Sequence, residues 1–441
     1  MRLNEKIYFE KAKQNGIEPF VLSYGEKTGI SVLVYNGEIE KQLIGESQSI
    51  SGRGIVNGKV GAFGTDAIDK DTPDFMMNSI VEAARFGKEL SPDTFYRGGK
   101  KYGRIQSKEK AFVKATLKEL REAALSLYER VKAKDERLTT IEVSISMKEG
   151  KFKKSNSYGV SKAETKKSYT CGISVVATDE SDEPRSGYSG FESFISLEDL
   201  ASKAEKYIDR AVHSAVDFFK TGPIPSKSYK AILSPDCFSS LFEFCLSHFN
   251  AKSVQKHLSV YEGKVGEEIF SPCFTVKHTP FVLSSSSLSF DSDIYPTQNF
   301  TLIDKGVLKT YFYSVETANN EGIESNGCGS GDGNGEPTIL TVSKGRSSLE
   351  GLFRRMKNGI YITSISGLNS GINGQTLDFS LPCQGYLIKD GKIEKAVSMI
   401  VCAGNLKELF HGALALADDV EDCGGIFTPS VLFKSLSISG Q

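Results

Sequence analysis

The sequence predicts an α+β protein of two domains. The N-terminal domain, residues 1–222, is expected to be mixed α/β with antiparallel hairpins and long helices. The C-terminal domain, residues 229–441, is expected to be mainly β with few helices. A chain of 441 residues is longer than one ordinary hydrophobic core supports. The stretch TGPIPSKS at 221–228 carries two prolines and no periodic apolar pattern, which is typical of a linker.

Helices and hairpins alternate in the first ninety residues. Residues 3–15 predict a helix. Asn-Gly pairs at 36–37 and 57–58 each separate two alternating runs, and Asn-Gly favours a type I′ turn because both central residues need a positive φ. Thr-Pro-Asp at 72–74 places a proline in the first turn of another helix. We therefore expect two hairpins before residue 65.

Longer elements follow up to the linker. A helical apolar pattern covers residues 110–133, and Ser196 resembles the cap of a further helix that ends near residue 220. The basic run KEGKFKK at 148–154 is interpreted as a solvated turn. Alternating residues predict strands at 139–148, 152–158 and 168–178.

The second half consists mostly of predicted strands and turns. Lys-Gly at 305–306 and Asp-Gly at 390–391 indicate hairpins. A helix is predicted to begin at Ser-Pro-Asp, 234–236, and to contain the stretch FCLSHFNAKSV at 244–254.

Composition excludes several functional classes. Lys and Arg total 54 against 55 Asp and Glu, so the chain has no excess of positive charge to attract nucleic acid or an anionic membrane. Its eight cysteines form no CxxC pair, a pattern that favours free thiols in a reducing compartment. The first residues have no apolar signal region, and no apolar run is long enough to span a bilayer. We expect a cytoplasmic protein that binds neither nucleic acid nor membrane.

The helix that contains His248 is the first candidate for a metal site. Cys245 lies one turn before His248, but the residues four positions away are Phe244 and Lys252, which cannot complete a zinc-binding pair. The apolar stripe of this helix favours a packing role for His248 over a metal-binding role. We expect no metal in this chain.

The run NGCGSGDGNGEP at 326–337 has the most unusual local composition. Its glycines fall on every second residue, which does not match a nucleotide-binding loop, and a calcium loop would need Glu where Thr341 stands. Two interpretations remain: a mobile surface loop, or the wall of a cleft that a peptide approaches closely.

Several segments, in order along the chain, resemble the TldD/PmbA family, long described as modulators of DNA gyrase. They are GISVLVYNGEIEK (29–41), GRGIVNGKVGAF (52–63), FDSDIYPTQNFTLIDKGVLKTY (290–311), GIYITSISGLNSGINGQTLDFS (359–380), GYLIKDGKIEKAVSMIVCAGNLKELF (385–410) and TPSVLFKSLSISGQ (428–441).

The resemblance implies a protease of two subunit types. The TldD-like subunit carries HExxxH on a helix of its C-terminal domain and holds zinc, whereas the PmbA-like subunit, also called TldE, lacks the motif. This sequence has no HExxxH, and its counterpart of the zinc helix is the helix that bears His248. Cys423 lies in the segment where a TldD-like chain supplies a cysteine ligand. The resemblance therefore implies a PmbA/TldE-type subunit without catalytic residues, with zinc expected in a TldD-like partner.

Extended peptides are the expected substrates, bound by strand addition to a sheet edge. The residues predicted to contact them are Gly329, Gly331 and Gly333, with Asp378 and Ser380 of the LDFS stretch. Two alternatives stay open. One is a homodimeric peptide-binding or scaffold protein with no proteolytic role. The other is direct action on gyrase.

Overall fold

The computed structural model describes residues 3–106, 112–180 and 182–440. The chain divides into two compact units, each with secondary structure of both types. Unit 1 comprises Met1–Tyr102, Ser107–Val216 and Phe290–Pro296, and unit 2 comprises Gly103–Gln106, Asp217–Ser289 and Thr297–Gln441. The predicted α+β class is confirmed. The domain boundaries at 222 and 229 stay a prediction.

Unit 1 is built on one six-stranded antiparallel sheet in the order β3-β2-β1-β4-β5-β6. Its elements in chain order are α1 (Glu5–Gln14), β1 (Phe20–Tyr35), β2 (Glu38–Val56), β3 (Lys59–Thr65), α2 (Thr72–Ala84), α3 (Leu117–Lys132), β4 (Leu138–Asn156), β5 (Ser161–Asp179), β6 (Asp182–Ser193) and α4 (Leu197–Val216).

The helices of unit 1 cover two parts of the sheet. Phe20 and Leu22 of β1 pack with buried residues of α1 and α2. Farther along β1, Val32 and Val34 are buried where α3 packs on the sheet. The predicted Asn-Gly turns are confirmed: Asn36 and Asn57 both have a positive φ and join β1 to β2 and β2 to β3.

Two predictions about unit 1 were wrong. The helix predicted over 110–133 begins only at Leu117, because Thr116 and Glu119 form a capping box that starts it there; residues 110 and 111 lie outside the described residues. The separate strands predicted at 139–148 and 152–158 are one strand, β4. Gly150 is no turn but pairs in register with Lys27 and Lys166, so tertiary pairing keeps the basic run extended.

Unit 2 contains two sheets and a large apolar core. Its elements are β7 (Lys227–Leu233), α5 (Pro235–Leu246), α6 (Ala251–Gln255), β8 (Val276–His278), β9 (Phe300–Asp304), β10 (Val307–Leu308), α7 (Val315–Glu321), β11 (Leu340–Val342), α8 (Leu349–Met356), β12 (Gly359–Ile365), α9 (Leu368–Gly371), β13 (Asp378–Lys389), β14 (Lys392–Asn405), α10 (Leu406–His411), β15 (Ala413–Leu416), β16 (Glu421–Asp422), β17 (Ile426–Thr428) and β18 (Val431–Ser439).

One sheet of unit 2 closes on itself. Its order is β14-β13-β12-β7-β18-β15, and β14 also pairs with β18, from Val401 opposite Ser439 to Ala403 opposite Ser437. The second sheet has the order β10-β9-β8-β11-β17-β16. Closure leaves few unpaired edges in the first sheet. Helix α5 packs beside β7, β12 and β17.

No helix within the described ranges combines the length and the apolar character needed to cross a membrane.

Candidate functional site

Helix α5 lies at the centre of the candidate site. Ser234 caps it by accepting a hydrogen bond from the Cys237 amide at 3.3 Å, and Pro235 occupies its first turn. One side of the helix is buried in the core of unit 2 through Phe238, Leu241, Phe242 and Cys245. The predicted start of the helix is confirmed, but the prediction that one helix contains residues 244–254 was wrong. α5 ends at Leu246, and the chain continues through a 3₁₀ turn to α6, because Asn250 is extended and caps α6.

His248 follows α5 in a 3₁₀ turn, Ser247–Phe249, and is 2% exposed. Its Nε2 lies 2.9 Å from the carbonyl oxygen of Gly374, which can only accept, so Nε2 carries the proton and donates. Its Nδ1 accepts from the amide of Val260 at 3.2 Å. Burial lowers the pKa of this ring. His248 therefore links three backbone segments as a neutral imidazole, which fits the predicted packing role.

The start of α5 meets the segment around Cys423. The carboxylate of Asp236 acts on the thiol of Cys423 and raises its pKa, and the Ser239 hydroxyl lies 3.4 Å from the Cys423 carbonyl oxygen. Asp422 fixes this segment because it accepts from the Ser284 hydroxyl at 2.7 Å and from the Gly425 amide at 2.8 Å. Residues distant in sequence thus form one local cluster.

The chemistry of this cluster is that of a protonated thiol. Burial raises the pKa of Cys423, and the negative charge of Asp236 raises it further. A thiol held protonated is a poor nucleophile and a poor metal ligand. Among the residues that the structure describes, no three His, Cys, Asp or Glu side chains are grouped as a metal ion would require. Asp236 and Cys423 alone do not fit a hydrolytic zinc ion, which takes three protein ligands.

Comparison with known proteins identifies the family. The family model for the PmbA/TldA metallopeptidase central domain matches residues 104–217, and the model for the corresponding C-terminal domain matches residues 226–440. The chain belongs to the PmbA/TldD family. An uncharacterised protein of Methanocaldococcus jannaschii is 28% identical over 426 residues, which are 94% of each chain.

Two further PmbA/TldD relatives carry functional names. A metalloprotease PmbA homologue of Haemophilus influenzae is 29% identical over 201 residues, which span 44% of this chain and 43% of that protein. A crystal structure from Thermotoga maritima, named as a candidate modulator of a DNA gyrase, has a TM-score of 0.86 at 27% identity and covers 99% of both chains. The fold described above is therefore the fold of this family.

The glycine-rich loop at 326–337 is packed against its surroundings. Gly329 and Gly333 are buried and Gly331 is partly exposed; Gly331 and Gly333 have φ of +89° and +88°. Asp332 accepts from the Asn334 amide at 2.9 Å, and its carbonyl oxygen accepts from Lys252 at 2.6 Å. These bonds hold the loop in one shape beside α6 and α7.

The buried glycines leave little room around them. A Cβ at Gly333 would lie 2.0 Å from the Glu316 carboxylate, and the Gly333 carbonyl oxygen accepts from Ser314 at 3.0 Å. Gly333 therefore faces neighbouring side chains of unit 2. Peptide contact by Gly329, Gly331 and Gly333 stays a prediction.

Asp378 and Ser380 are both exposed and lie on the same face of β13. Asp378 accepts from the Asn405 amide nitrogen at 2.8 Å and from the Thr376 hydroxyl at 2.6 Å, and these bonds lower its pKa. The carboxylate stays charged and accessible. Peptide contact at Asp378 and Ser380 stays a prediction as well. The neighbours of Asp378, Thr376 and Asn405, differ from those of the glycine loop.

Sequence reasoning missed Asp236 and Asn250. Asn250 caps α6 by accepting from Lys252, and the same oxygen accepts from the Gly335 amide at 3.0 Å, which ties the glycine loop to the end of the His248 turn. The Ser-Pro-Asp signal located the start of α5, but nothing local to it pointed to Cys423.

Proposed function

We propose that this chain is the non-catalytic, PmbA/TldE-type subunit of a two-subunit zinc metalloprotease that processes or degrades unfolded peptides. The family includes relatives named metalloprotease PmbA and relatives named metalloprotease TldD. In the proposed pair, zinc belongs to the TldD-like chain, where it would supply an activated water for peptide hydrolysis.

The observation that carries this proposal is the use made of the donor groups around α5. His248 has both ring nitrogens bound to the backbone. Burial and the charge of Asp236 raise the pKa of the Cys423 thiol, which keeps it protonated. No histidine of the sequence is followed by glutamate, so the chain has no HExxxH helix. The chain thus keeps the fold of the family, but the polar groups around α5 bond to other parts of the protein. This arrangement supports a structural role in the complex and not a catalytic one.

The eight cysteines support a reducing compartment, which we propose is the cytoplasm. All eight are free thiols, and six are buried.

Reconstitution tests the proposal. The chain is co-expressed with an HExxxH-bearing relative from the same genome, and each chain is also purified alone. We expect a stable complex that cleaves an unfolded peptide, no cleavage by this chain alone, and loss of cleavage when the glutamate of the partner motif is replaced. Peptidase activity of this chain alone would refute the proposal. Failure to co-purify, with a stable homodimer instead, would favour the scaffold alternative.

A further inference from the structure

The third chain segment of unit 1 is a loop of seven residues, Phe290–Pro296. No residue of Asp217–Ser289 belongs to unit 1, so this loop is distant in sequence from the rest of the unit. All of its residues except Ser292 are buried. A β-bridge joins Phe290 to Pro296, and the two ends of the loop therefore meet. The loop is a compact, closed piece of chain within unit 1.

Hydrogen bonds within the loop define its shape. The Asp291 carboxylate accepts from the amides of Asp293 and Tyr295, both at 2.9 Å. The Asp291 amide donates to the Tyr295 carbonyl oxygen at 2.9 Å. In this shape Ile294 has a φ of +65°, which is unfavourable for a β-branched residue. Such a conformation persists only where the surroundings stabilise it.

Unit 1 supplies an apolar pocket for the loop. Ile294 has no exposed surface, and Phe290 is 1% exposed. Both belong to one buried cluster with four residues from the first part of the chain: Val21, Ile55, Leu90 and Phe95. The ring of Phe290 also lies 5.5 Å from the ring of Phe152, measured between centroids. Removal of the loop would expose this apolar cluster to water, which opposes release.

Two cations of unit 1 face the two carboxylates of the loop. Arg53 donates to the Asp293 carboxylate at 3.1 Å, and the Asp293 side chain is 5% exposed. Burial lowers the pKa of Lys154, whereas the charges of Asp291 and Asp293 act in the opposite direction. Two positive charges thus meet two negative charges in surroundings where an unmatched charge is costly.

Two further hydrogen bonds hold the main chain of the loop. The Lys154 ammonium group donates to the Ser292 carbonyl oxygen at 3.3 Å. The Tyr102 hydroxyl donates to the Ile294 carbonyl oxygen at 2.7 Å. Unit 1 therefore holds the loop as a receptor holds a peptide, by main-chain hydrogen bonds together with pockets for side chains.

Partial release of the loop is unfavourable. Withdrawal of Asp293 alone would leave Arg53, whose side chain is 21% exposed, without its carboxylate. Withdrawal of Ile294 alone would leave a cavity in the apolar cluster. Release of the whole loop instead returns the charges on both sides to water. The loop should therefore be either fully seated or fully released.

We propose that Phe290–Pro296 is an internal peptide ligand of unit 1, a clip that is seated or released as one piece. The pocket that it leaves binds an external acidic turn of the same chemistry. That turn has carboxylates on two alternate residues, followed by an aliphatic and an aromatic residue. The inference goes beyond the proposed function, since it concerns this chain by itself.

Hydrogen exchange of the full-length chain tests whether the clip moves as one piece. Mass spectrometry with electron-transfer fragmentation resolves the single amides. Tyr102→Phe removes the hydroxyl that donates to Ile294, and one lost hydrogen bond should speed exchange in the clip about fivefold. The amides of Asp291 and Tyr295 should speed by the same factor. An unchanged rate, or clearly different factors at these two amides, would overturn the clip.

Tyr229→Phe is the matched control for this measurement. Its hydroxyl donates to the Pro225 carbonyl oxygen at 2.9 Å, in unit 2. Removal of this hydroxyl should leave exchange in the clip unchanged. Equal acceleration by both tyrosine variants would also contradict the proposal.

A labelled peptide with the sequence of residues 289–297 tests binding to the released pocket. In the full-length chain, Ile294→Asp places a charge in the apolar cluster and should release the clip. Ile294→Gly accepts the positive φ without strain, and it replaces Ile294→Asp if circular dichroism shows that the first variant does not fold. In fluorescence anisotropy, we expect the peptide to bind the variant at least tenfold more tightly than the wild type, whose pocket is filled.

A second peptide tests the chemistry of recognition. It has asparagine in place of both aspartates, and we expect it to bind the released variant at least tenfold more weakly. Adding Arg53→Met to that variant should reduce this preference for carboxylates. Equal binding of the two peptides, or no binding by a folded variant, would overturn the proposal. All measurements use this chain alone, so their failure leaves the proposed subunit assembly intact, and failed assembly leaves them valid.

Discussion

Protonation of His278 should destabilise unit 2. His278 ends β8 and has no exposed surface. Its Nδ1 lies 2.7 Å from the Gln298 carbonyl oxygen and therefore donates, while Nε2 accepts from the Thr338 amide at 3.2 Å. A second ring proton would face that N–H group. Burial accordingly lowers the pKa of His278 to about 4.

The size of the effect follows from this pKa. In the unfolded chain the imidazole has an ordinary pKa of about 6.5. As the pH falls from 6.5, the unfolded state binds a proton that the folded state does not, so the free energy of unfolding decreases. By pH 4 the loss is about 3 kcal/mol. Burial also lowers the pKa of His248, so protonation of His248 should likewise reduce the free energy of unfolding as the pH falls.

Thermal unfolding of the wild type and of His278→Asn at pH 7 and pH 4 measures this contribution. For a unit of this size, 3 kcal/mol corresponds to a melting shift of about 6–12 °C. We expect the wild type to lose that much more than the variant between the two pH values. The exposed His213, replaced by Asn, controls for removal of an imidazole. If His278→Asn loses as much stability as the wild type on acidification, the assignment of the proton to His278 is refuted.

Three further outcomes are expected. Gly333→Ala should destabilise unit 2 by about 1–3 kcal/mol in urea unfolding because φ is +88°. Gly374→Ala, which has open space around the new Cβ, should change stability much less, and equal losses would contradict the packing of the loop. Thr116→Ala removes the capping box of α3 and should cost about 1 kcal/mol; an unchanged urea midpoint would show that the cap contributes nothing. Asp236→Asn should speed the alkylation of Cys423, because the Asp236 carboxylate raises the pKa of the thiol. Mass spectrometry measures the alkylation rate. Asp390→Asn, in an exposed turn, is the control. Equal alkylation rates in both variants would show that Asp236 does not control the reactivity of Cys423.

Local chemistry made much of the fold predictable. The Asn-Gly turns depend on a positive φ within two residues, and the start of α5 depends on Ser234 and Pro235, so both could be identified without tertiary information. Gly150 was misinterpreted for the complementary reason. A glycine within a lysine-rich run suggests a turn locally, but pairing with β1 and β5 on both sides keeps it extended.

The candidate site was less accessible to sequence reasoning. Asp236 of α5 approaches Cys423 because β17, which follows Cys423 in the chain, packs beside α5. Contacts of this sequence separation leave no periodic signal along the chain. The packing role of His248 could be predicted from its apolar neighbours, whereas its partners Gly374 and Val260 could not.

The zinc content of the separated subunits decides whether this chain is the subunit without metal. The proposed TldD-like partner and this chain are each purified, dialysed against zinc and measured by elemental analysis, alone and as the complex. We expect about one zinc ion for each complex. The purified partner should retain this zinc ion by itself, and this chain purified by itself should hold none. One tightly held zinc ion in this chain alone would contradict it.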